Sequence, residues 1–409
     1  MAGPLAGIRV LDLSRVLAGP WAGQTLADLG AEVIKVERPE SGDDTRGWGP
    51  PFLAPEAEGR PGDAAYFLAA NRGKRSVCID ISDSRGQELV LRLARRCDVL
   101  IENFKVGGLA RYGLDYESVA AANPGIVYCS ITGFGQTGPY RNRAGYDFMI
   151  QGMGGIMSVT GQPDGTPGAE PMKVGVAFAD IFTGLYSVIG ILGALYGRRE
   201  TGRGQHIDMA LLDSQVAVLA NQALNYLVGG TPPGRLGNAH PNIVPYQVFA
   251  TADGHMILAV GNDRQFAAFC RIAGLDDLAA DRRFVTNRGR VENRDTLVPL
   301  IAEAMTRRST GEWIDLLEAE AVPCGPISTI DEVFANPQVV ARGMKVETVR
   351  PDGARIPGVA SPIRYSETPI TYDIAPPRLG EHTREVLAGL LGLSNDDLAR
   401  LAADGVIAP

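Results

Sequence analysis

Several short motifs that mark the commonest nucleotide and hydrolytic chemistries are missing or out of place. No GxxxxGKS/T occurs in its 409 residues, and the turn after the first strand-like run reads SRVLAGPWAG rather than GxGxxG. Phosphate-loop ATPases and ordinary dinucleotide-dependent dehydrogenases are thereby disfavoured. A GxSxG nucleophile elbow is missing, which argues against a serine hydrolase. So is HExxH, and His206, His240, His255 and His382 are too scattered in sequence to suggest a metal centre; no metal is expected. The five cysteines, Cys78, Cys97, Cys129, Cys270 and Cys324, are widely spaced and odd in number. That pattern fits reduced thiols in a cytoplasmic protein, not a disulfide scaffold or a zinc cluster.

Basic charge is in short supply. With 39 basic against 47 acidic side chains the net charge is -8, which offers no general attraction to nucleic acid or anionic lipid. Small molecules are the expected partners. MAGPLAGIRVLDLSR has no basic segment leading into an apolar run and cleavage site, so no secretory signal is expected. The longest apolar stretch, 174–196, carries glycines and an aspartate. Such interruptions predict a buried helix, not a membrane span. No internal repeat is present, which excludes a solenoid.

Strand-like and helix-like segments alternate. IRVLDL at 8–13 precedes the helical pattern of 19–30, and AEVIKVE follows at 31–37. RSVCIDI at 75–81, a helix over 84–96, CDVLIEN at 97–103 and GIVYCSI at 125–131 continue the order. Rich in Val and Ile and poor in charge, these runs predict an α/β domain over 1–220 whose open parallel sheet is covered on both faces. The stretches 38–70 and 132–172, rich in Gly, Pro and polar residues, read as binding loops. A second long helix is expected after HIDMALLDSQ at 206–215. From 225 to 335 the pattern changes to a hairpin around an Asp-Gly turn and three polar helices near 263–274, 292–307 and 311–320, a smaller α+β domain. The tail, 340–409, holds another hairpin and a helix over 383–400.

Asp180 interrupts the apolar 174–196 stretch where it turns into a helix. A carboxylate there either caps the helix or does chemistry, and local sequence alone leaves both open.

Several long motifs together resemble the class III CoA-transferase family (CaiB/BaiF type), which includes formyl-CoA and carnitine CoA-transferases. They are VLDLSRVLAGPWAGQTLADLGAEVIKVERPESGDDTR, NRGKRSVCID, DVLIENFKVGGLARYGLDYE, CSITGFGQTGPYRNRAGYD and VAFADIFTGLYSVIGILGAL. The likeness covers essentially the whole chain. GNAHPNIVPYQVF and VPCGPISTIDEVFANPQV look most like the branch that moves CoA between dicarboxylates such as succinate, glutarate and 3-hydroxy-3-methylglutarate.

The resemblance implies that Asp180 is the nucleophile, attacking an acyl-CoA thioester and passing through an acyl-aspartyl anhydride and an aspartyl-CoA thioester. CoA thioester is then a substrate and no cofactor is permanently bound. It implies a CoA pocket made by Val16, Arg38, Arg72, Lys74, Arg75, Asn103, Phe104 and Arg111. Leu17 stands where the formyl-CoA branch has a glutamine, which points to a larger or less polar acyl group. Gly135, in a glycine-rich loop, and Asp147 are implied at the edge of the site. His240 and Gly261 belong to segments matching a lid, but Asn262, Asp263 and Arg264 replace most of its glycines. From chemistry and position, Arg15 and Arg143 are candidates for gripping a distal carboxylate. The family fold implies that the tail returns to the large domain and that two chains interlock as a homodimer. Three alternatives stay open: an epimerase acting on 2-methylacyl-CoA, for which the expected histidine after 125–131 is missing; an acyl-CoA hydrolase; and a CoA-binding protein without chemistry.

Overall fold

The computed structural model describes residues 3–54 and 62–408; residues 55–61 of the expected 38–70 binding loop lie outside them. The chain divides into two compact units, one of residues 1–156, 173–224 and 337–409, the other of 157–172 and 225–336. Segment 157–172, expected in the first domain, thus belongs to the second unit.

The first unit is built on β1 (Arg9–Asp12), β2 (Glu32–Glu37), β3 (Lys74–Ile79), β4 (Val99–Glu102), β5 (Val127–Thr132) and β6 (His206–Ala210). These six are parallel, in the order β3-β2-β1-β4-β5-β6. The chain's last strand, Ile407–Ala408, adds to β3 antiparallel, so the sheet is mixed, not wholly parallel. Alternate side chains feed two cores, as a pleated strand requires. Leu11, Ile34, Val77, Leu100 and Tyr128 enter one core and Val10, Val33, Val99 and Val127 the other. With both faces buried, the strands read as continuous apolar runs.

The first core is covered by the helices Ser84–Ala94 and Thr383–Leu391, the second by Ala18–Asp28 and Phe178–Thr201. Phe178–Thr201 is long and apolar enough to cross a membrane by length and composition, yet Val188, Ile191, Ala194 and Leu195 are buried in the sheet core. A Cβ at Gly184 would lie 2.7 Å from the Ala18 carbonyl oxygen, so glycine lets this helix press against the start of Ala18–Asp28. The helix ends at Gly202, φ +69, whose N–H closes on the Arg198 carbonyl, with Arg198 and Arg199 favouring the negative helix end.

Two expected helices prove to be broken. The 383–400 helix is two, Thr383–Leu391 and Asn395–Ala403: Gly392 at φ +67 ends the first and Ser394 caps the second with Asp397. The long helix expected after β6 is likewise Leu211–Ala217 and Ala220–Gly229, parted at Ala220, φ +47. The tail hairpin is present as β10 (Lys345–Val349) and β11 (Arg355–Val359).

The second unit holds the antiparallel β7 (Tyr246–Ala250) and β8 (His255–Ala259), with β9 (Cys324–Pro326) beside β8. Helices Asp263–Ala273, Arg294–Met305 and Thr310–Ala319 close a core containing Phe266, Phe269 and Trp313.

Candidate active site

Strand order reverses between β1 and β4, and in open α/β sheets the crevice beyond the carboxyl ends of such neighbours is where ligands bind. A cleft of about 750 Å³ lies there, lined by Arg15–Ala18 after β1, Asn103–Gly108 and Arg111 after β4, Ile131–Gly133 at the end of β5, Arg141–Tyr146, Leu211 and Asp180. The two leading loops are stapled by Asn103. Its Oδ1 accepts from the Arg15 N–H at 2.9 Å and its Nδ2 donates to the Arg15 carbonyl at 2.6 Å. Gly133 and Gly145 pack backbone to backbone, a Cβ on Gly133 meeting the Gly145 Cα at 2.7 Å; only glycine permits that approach.

Val16 sits at φ +73, a strained setting for a β-branched residue. What holds it is a buried charge network. The Val16 N–H donates to both oxygens of Asp43 at 3.2 and 3.3 Å. Asp43 is paired with the fully buried Lys35 at 2.9 Å. Burial alone would raise the Asp43 carboxyl, but Lys35 and donors from Thr45 outweigh it and hold it at about 2. Lys35 also donates to the Ser14 carbonyl, and Asp12 accepts from the Ser14 N–H, so the loop beneath the cleft is fixed from both sides.

Asp180 lies in the first turn of Phe178–Thr201, not at its N-cap, which is Ala177. The cap is supplied from elsewhere. Asp147 Oδ1 accepts from the Ala179 N–H at 2.8 Å and the Asp180 N–H at 3.3 Å, leaving the Asp180 carboxylate free for the cleft. One turn along its own helix, buried Gln151 donates to Asp147 at 2.7 Å and accepts from the Val174 N–H at 2.8 Å. Together they pin the segment leading into Asp180. Burial, and then the like charge of Asp147, push the Asp180 carboxyl up to about 7. Half-buried Tyr66 is edge-on to Trp48 at 5.3 Å, and burial first, then Asp180, Asp147 and Asp43, raise its phenol.

The nucleophilic role expected of Asp180 requires its ionised form, and burial raises its folded pKa. The rate constant kcat/KM is therefore expected to rise with pH through about 7. Asp147→Asn keeps an acceptor for the Ala179 N–H but removes the charge, so the midpoint falls. A pH profile with an unchanged midpoint would contradict this coupling.

Of the residues expected at the site, Arg15, Val16, Leu17, Asn103, Phe104, Arg111, Arg143 and Asp180 line the one cleft, with Asp147 beside it. Arg38 reaches it indirectly, sharing Asp44 with Arg15 at 2.8 and 2.9 Å. Gly135, φ +84, donates its N–H to Thr132 at the end of β5. Arg72, Lys74 and Arg75, expected in a phosphate pocket, do not line this cleft, and Arg72 and Lys74 turn their donors inward. Arg72 grips Asp28 with two nitrogens and donates to the Val359 carbonyl. Lys74, fully buried, donates to Asp12, the Pro20 carbonyl and Asn71, each at 2.9 Å; burial pushes its ammonium down to about 8 although Asp12 pulls the other way. Arg75 pairs with Glu32 and Glu385. His240 and Gly261 belong to the second unit. His240 Nδ1 accepts from the Asn242 N–H, and the Gly261 N–H donates to Gln265, whose own N–H is capped by Asn262. The expected lid segment is thus the capped start of the Asp263–Ala273 helix. Gln151 and Tyr66 were not expected. Gln151, four residues after Asp147, carries only the weak signal of a same-face helix pair, and Tyr66 carries none.

A doubly covered α/β sheet whose switch-point crevice is lined by arginines and by a carboxylate in the first turn of a helix has the layout of an α/β enzyme. The chain belongs to CoA-transferase family III, whose profile matches residues 5–383. Over 387 residues it is 57% identical to a succinate–glutarate CoA-transferase of Agrobacterium fabrum, covering 95% of this chain and 96% of the relative. A succinyl-CoA:glutarate CoA-transferase of Homo sapiens is 43% identical over 404 residues, 99% of this chain and 90% of the relative. The crystal structure of a CaiB/BaiF family protein from Brucella suis superimposes with a TM-score of 0.83 at 56% identity, over 95% of this chain and all (100%) of that one. The protein is an acyl-CoA:carboxylate CoA-transferase close to the succinate–glutarate branch, with a CoA thioester as substrate.

Proposed function

We propose that the enzyme moves CoA from succinyl-CoA to glutarate or a closely related dicarboxylate through covalent intermediates on Asp180. The observation that carries this reading is the setting of Asp180, whose backbone is capped by Asp147 while its carboxylate faces the cleft. An Asp180 oxygen attacks the thioester carbonyl, the C–S bond breaks, and the acyl-aspartyl anhydride forms with CoA thiolate as leaving group. The thiolate attacks the aspartyl carbonyl, releasing the donor acid and leaving CoA on Asp180 as a thioester. The acceptor carboxylate then attacks that thioester, and the returning thiolate takes the new acyl group, restoring the Asp180 carboxylate. The helix N-terminus favours the ionised form, and burial limits hydrolysis of the anhydride.

Val16, Asn103, Phe104 and Arg111 line the cleft on its CoA-binding side, with Arg38 beside it. Arg143 is the best-placed group for a distal carboxylate. Its guanidinium lies 5.4 Å from the Phe134 ring centre and 4.6 Å from that of Tyr140, and among the described residues no carboxylate pairs with it. Arg15, by contrast, is held by Asp44. Arg143→Leu is expected to raise the acceptor KM by roughly tenfold or more without abolishing anhydride formation with the donor. An unchanged acceptor KM in steady-state transfer would remove Arg143 from this role. Leu17, only 8% exposed, gives the acyl pocket an apolar wall.

An epimerase would need a basic group near the thioester α-carbon, and among the described residues no histidine lines the cleft. The reading includes a cytoplasmic homodimer of interlocked chains. Val176, Ile189 and Tyr196, 63%, 62% and 72% exposed, are the kind of apolar surface a partner chain covers. The deciding assay supplies succinyl-CoA with a panel of acids: transfer to glutarate well above that to monocarboxylates supports the assignment, and acceptor-independent CoA release opposes it.

A further inference from the structure

Arg143 lines the cleft, and its side-chain neighbours are aromatic. The guanidinium lies 4.6 Å from the Tyr140 ring centre and 5.4 Å from that of Phe134, and the two rings meet edge to face with centres 5.5 Å apart. Phe134, two residues beyond β5, packs against the second core of the sheet. The backbone around it is tied down as well. The Gly133 carbonyl accepts the Leu212 N–H at 3.1 Å, while the Gly135 N–H donates to Thr132 Oγ1 and the Gln136 N–H to Asp208 on β6. Tyr140 is 44% exposed, but its carbonyl accepts the Arg143 N–H at 2.8 Å. That turn keeps the ring and the guanidinium on one short piece of chain.

We propose that Phe134 and Tyr140 are positioning residues, a two-ring clamp that fixes the Arg143 guanidinium in the cleft and thereby sets the preference for acids carrying a second carboxylate. The inference rests on the reading of Arg143 as the grip on that distal group. Neither ring is among the residues lining the cleft, so both act on a ligand through Arg143.

A carboxylate that immobilises an arginine consumes in-plane N–H donors that could otherwise grip a ligand, as Asp44 takes one from Arg15 at 2.9 Å. An aromatic face attracts the cation through its quadrupole and takes no N–H. Among the described residues no carboxylate pairs with Arg143, so its planar fork is restrained by the rings and still available for a bidentate carboxylate. An arginine free to swing must be ordered by the ligand itself, and that ordering weakens binding. Loss of a ring therefore weakens the grip on a distal carboxylate and leaves the chemistry at Asp180 untouched. An acid with one carboxylate offers Arg143 nothing to hold, and its transfer is indifferent to the clamp.

The test is steady-state transfer from succinyl-CoA to glutarate and to butyrate, read as the ratio of the two acceptor kcat/KM values. The donor half-reaction is common to both acceptors and cancels in that ratio. Phe134→Leu is expected to lower the glutarate-to-butyrate ratio by about three- to tenfold, chiefly through the glutarate KM. Tyr140→Leu should do the same, and Tyr140→Phe, which keeps the ring, should retain the ratio. In an Arg143→Leu background Phe134→Leu should lower it no further, because the ring acts through the guanidinium. A wild-type ratio in both leucine variants overturns the proposal, and so does a loss of glutarate and butyrate transfer in equal proportion. An undiminished ring effect without Arg143 overturns it as well. Should Phe134→Leu fail to fold, the variants of the exposed Tyr140 decide. Arg143→Leu alone separates the clamp from the grip it serves. If it lowers the ratio and the ring variants do not, the clamp fails and the grip stands; if it leaves the ratio unchanged, the grip fails and the clamp with it.

Discussion

Asp180→Ala should lose CoA transfer by roughly 10³-fold or more while still binding CoA. The expected size follows from what the residue is asked to do. On the proposed route an Asp180 oxygen carries the acyl group and its carboxyl carbon then carries CoA, so no neighbouring group substitutes for it in part. Asp147, whose oxygens are committed to the Ala179 and Asp180 N–H groups and to Gln151, is not free to attack. Asp180→Asn should behave in the same way in transfer and differently in stability. A carboxyl raised from the usual carboxylate range to about 7 keeps its proton in the folded state while the unfolded chain has lost it, so stability falls as pH rises from about 4 to about 7. An amide has no such loss. The asparagine variant should therefore melt above wild type at pH 8, and the gap should close at low pH. Residual transfer near wild-type rate in either variant would place the covalent chemistry elsewhere.

Lys74→Ala should destabilise the protein by about 3–5 kcal/mol, because it strands the fully buried Asp12 without its cation. A loss of that size lowers the melting temperature by roughly 6–15 °C. The three Lys74 donors are spent inside the protein, and Asp12 also fixes the Ser14 N–H ahead of Val16. A lysine serving a CoA phosphate would give the reverse, with melting preserved and CoA affinity weakened. Thermal denaturation and CoA titration of the one variant separate the two.

The lysine also shows where sequence stops being informative. An Arg or Lys beside a strand end is suited both to a phosphate and to a buried carboxylate, and NRGKRS at 71–76 carries no mark of which. The deciding partners, Asp12 and Asp28, lie 62 and 44 residues away. Strands of the first unit were legible because burial on both faces leaves uninterrupted Val and Ile runs, and Asp180 was legible because an apolar helix makes a lone carboxylate conspicuous. Its cap was not, since Asp147 supplies it from 33 residues upstream. For the same reason local sequence left open whether Asp180 caps its own helix. The antiparallel edge strand Ile407–Ala408 is two residues long, too short to show any periodicity, and the tail helix was read through Gly392 because a single glycine is tolerated inside many helices.

The most direct test of the covalent route is the intact mass of the protein after incubation with succinyl-CoA followed by hydroxylamine, with peptide mapping and Asp180→Ala alongside. Hydroxylamine converts an aspartyl anhydride or thioester into a stable hydroxamate. A single hydroxamate mapped to Asp180 in wild type and absent from the variant is the predicted result. A protein that transfers CoA while remaining unmodified, or one that carries the modification at another residue, would contradict the account.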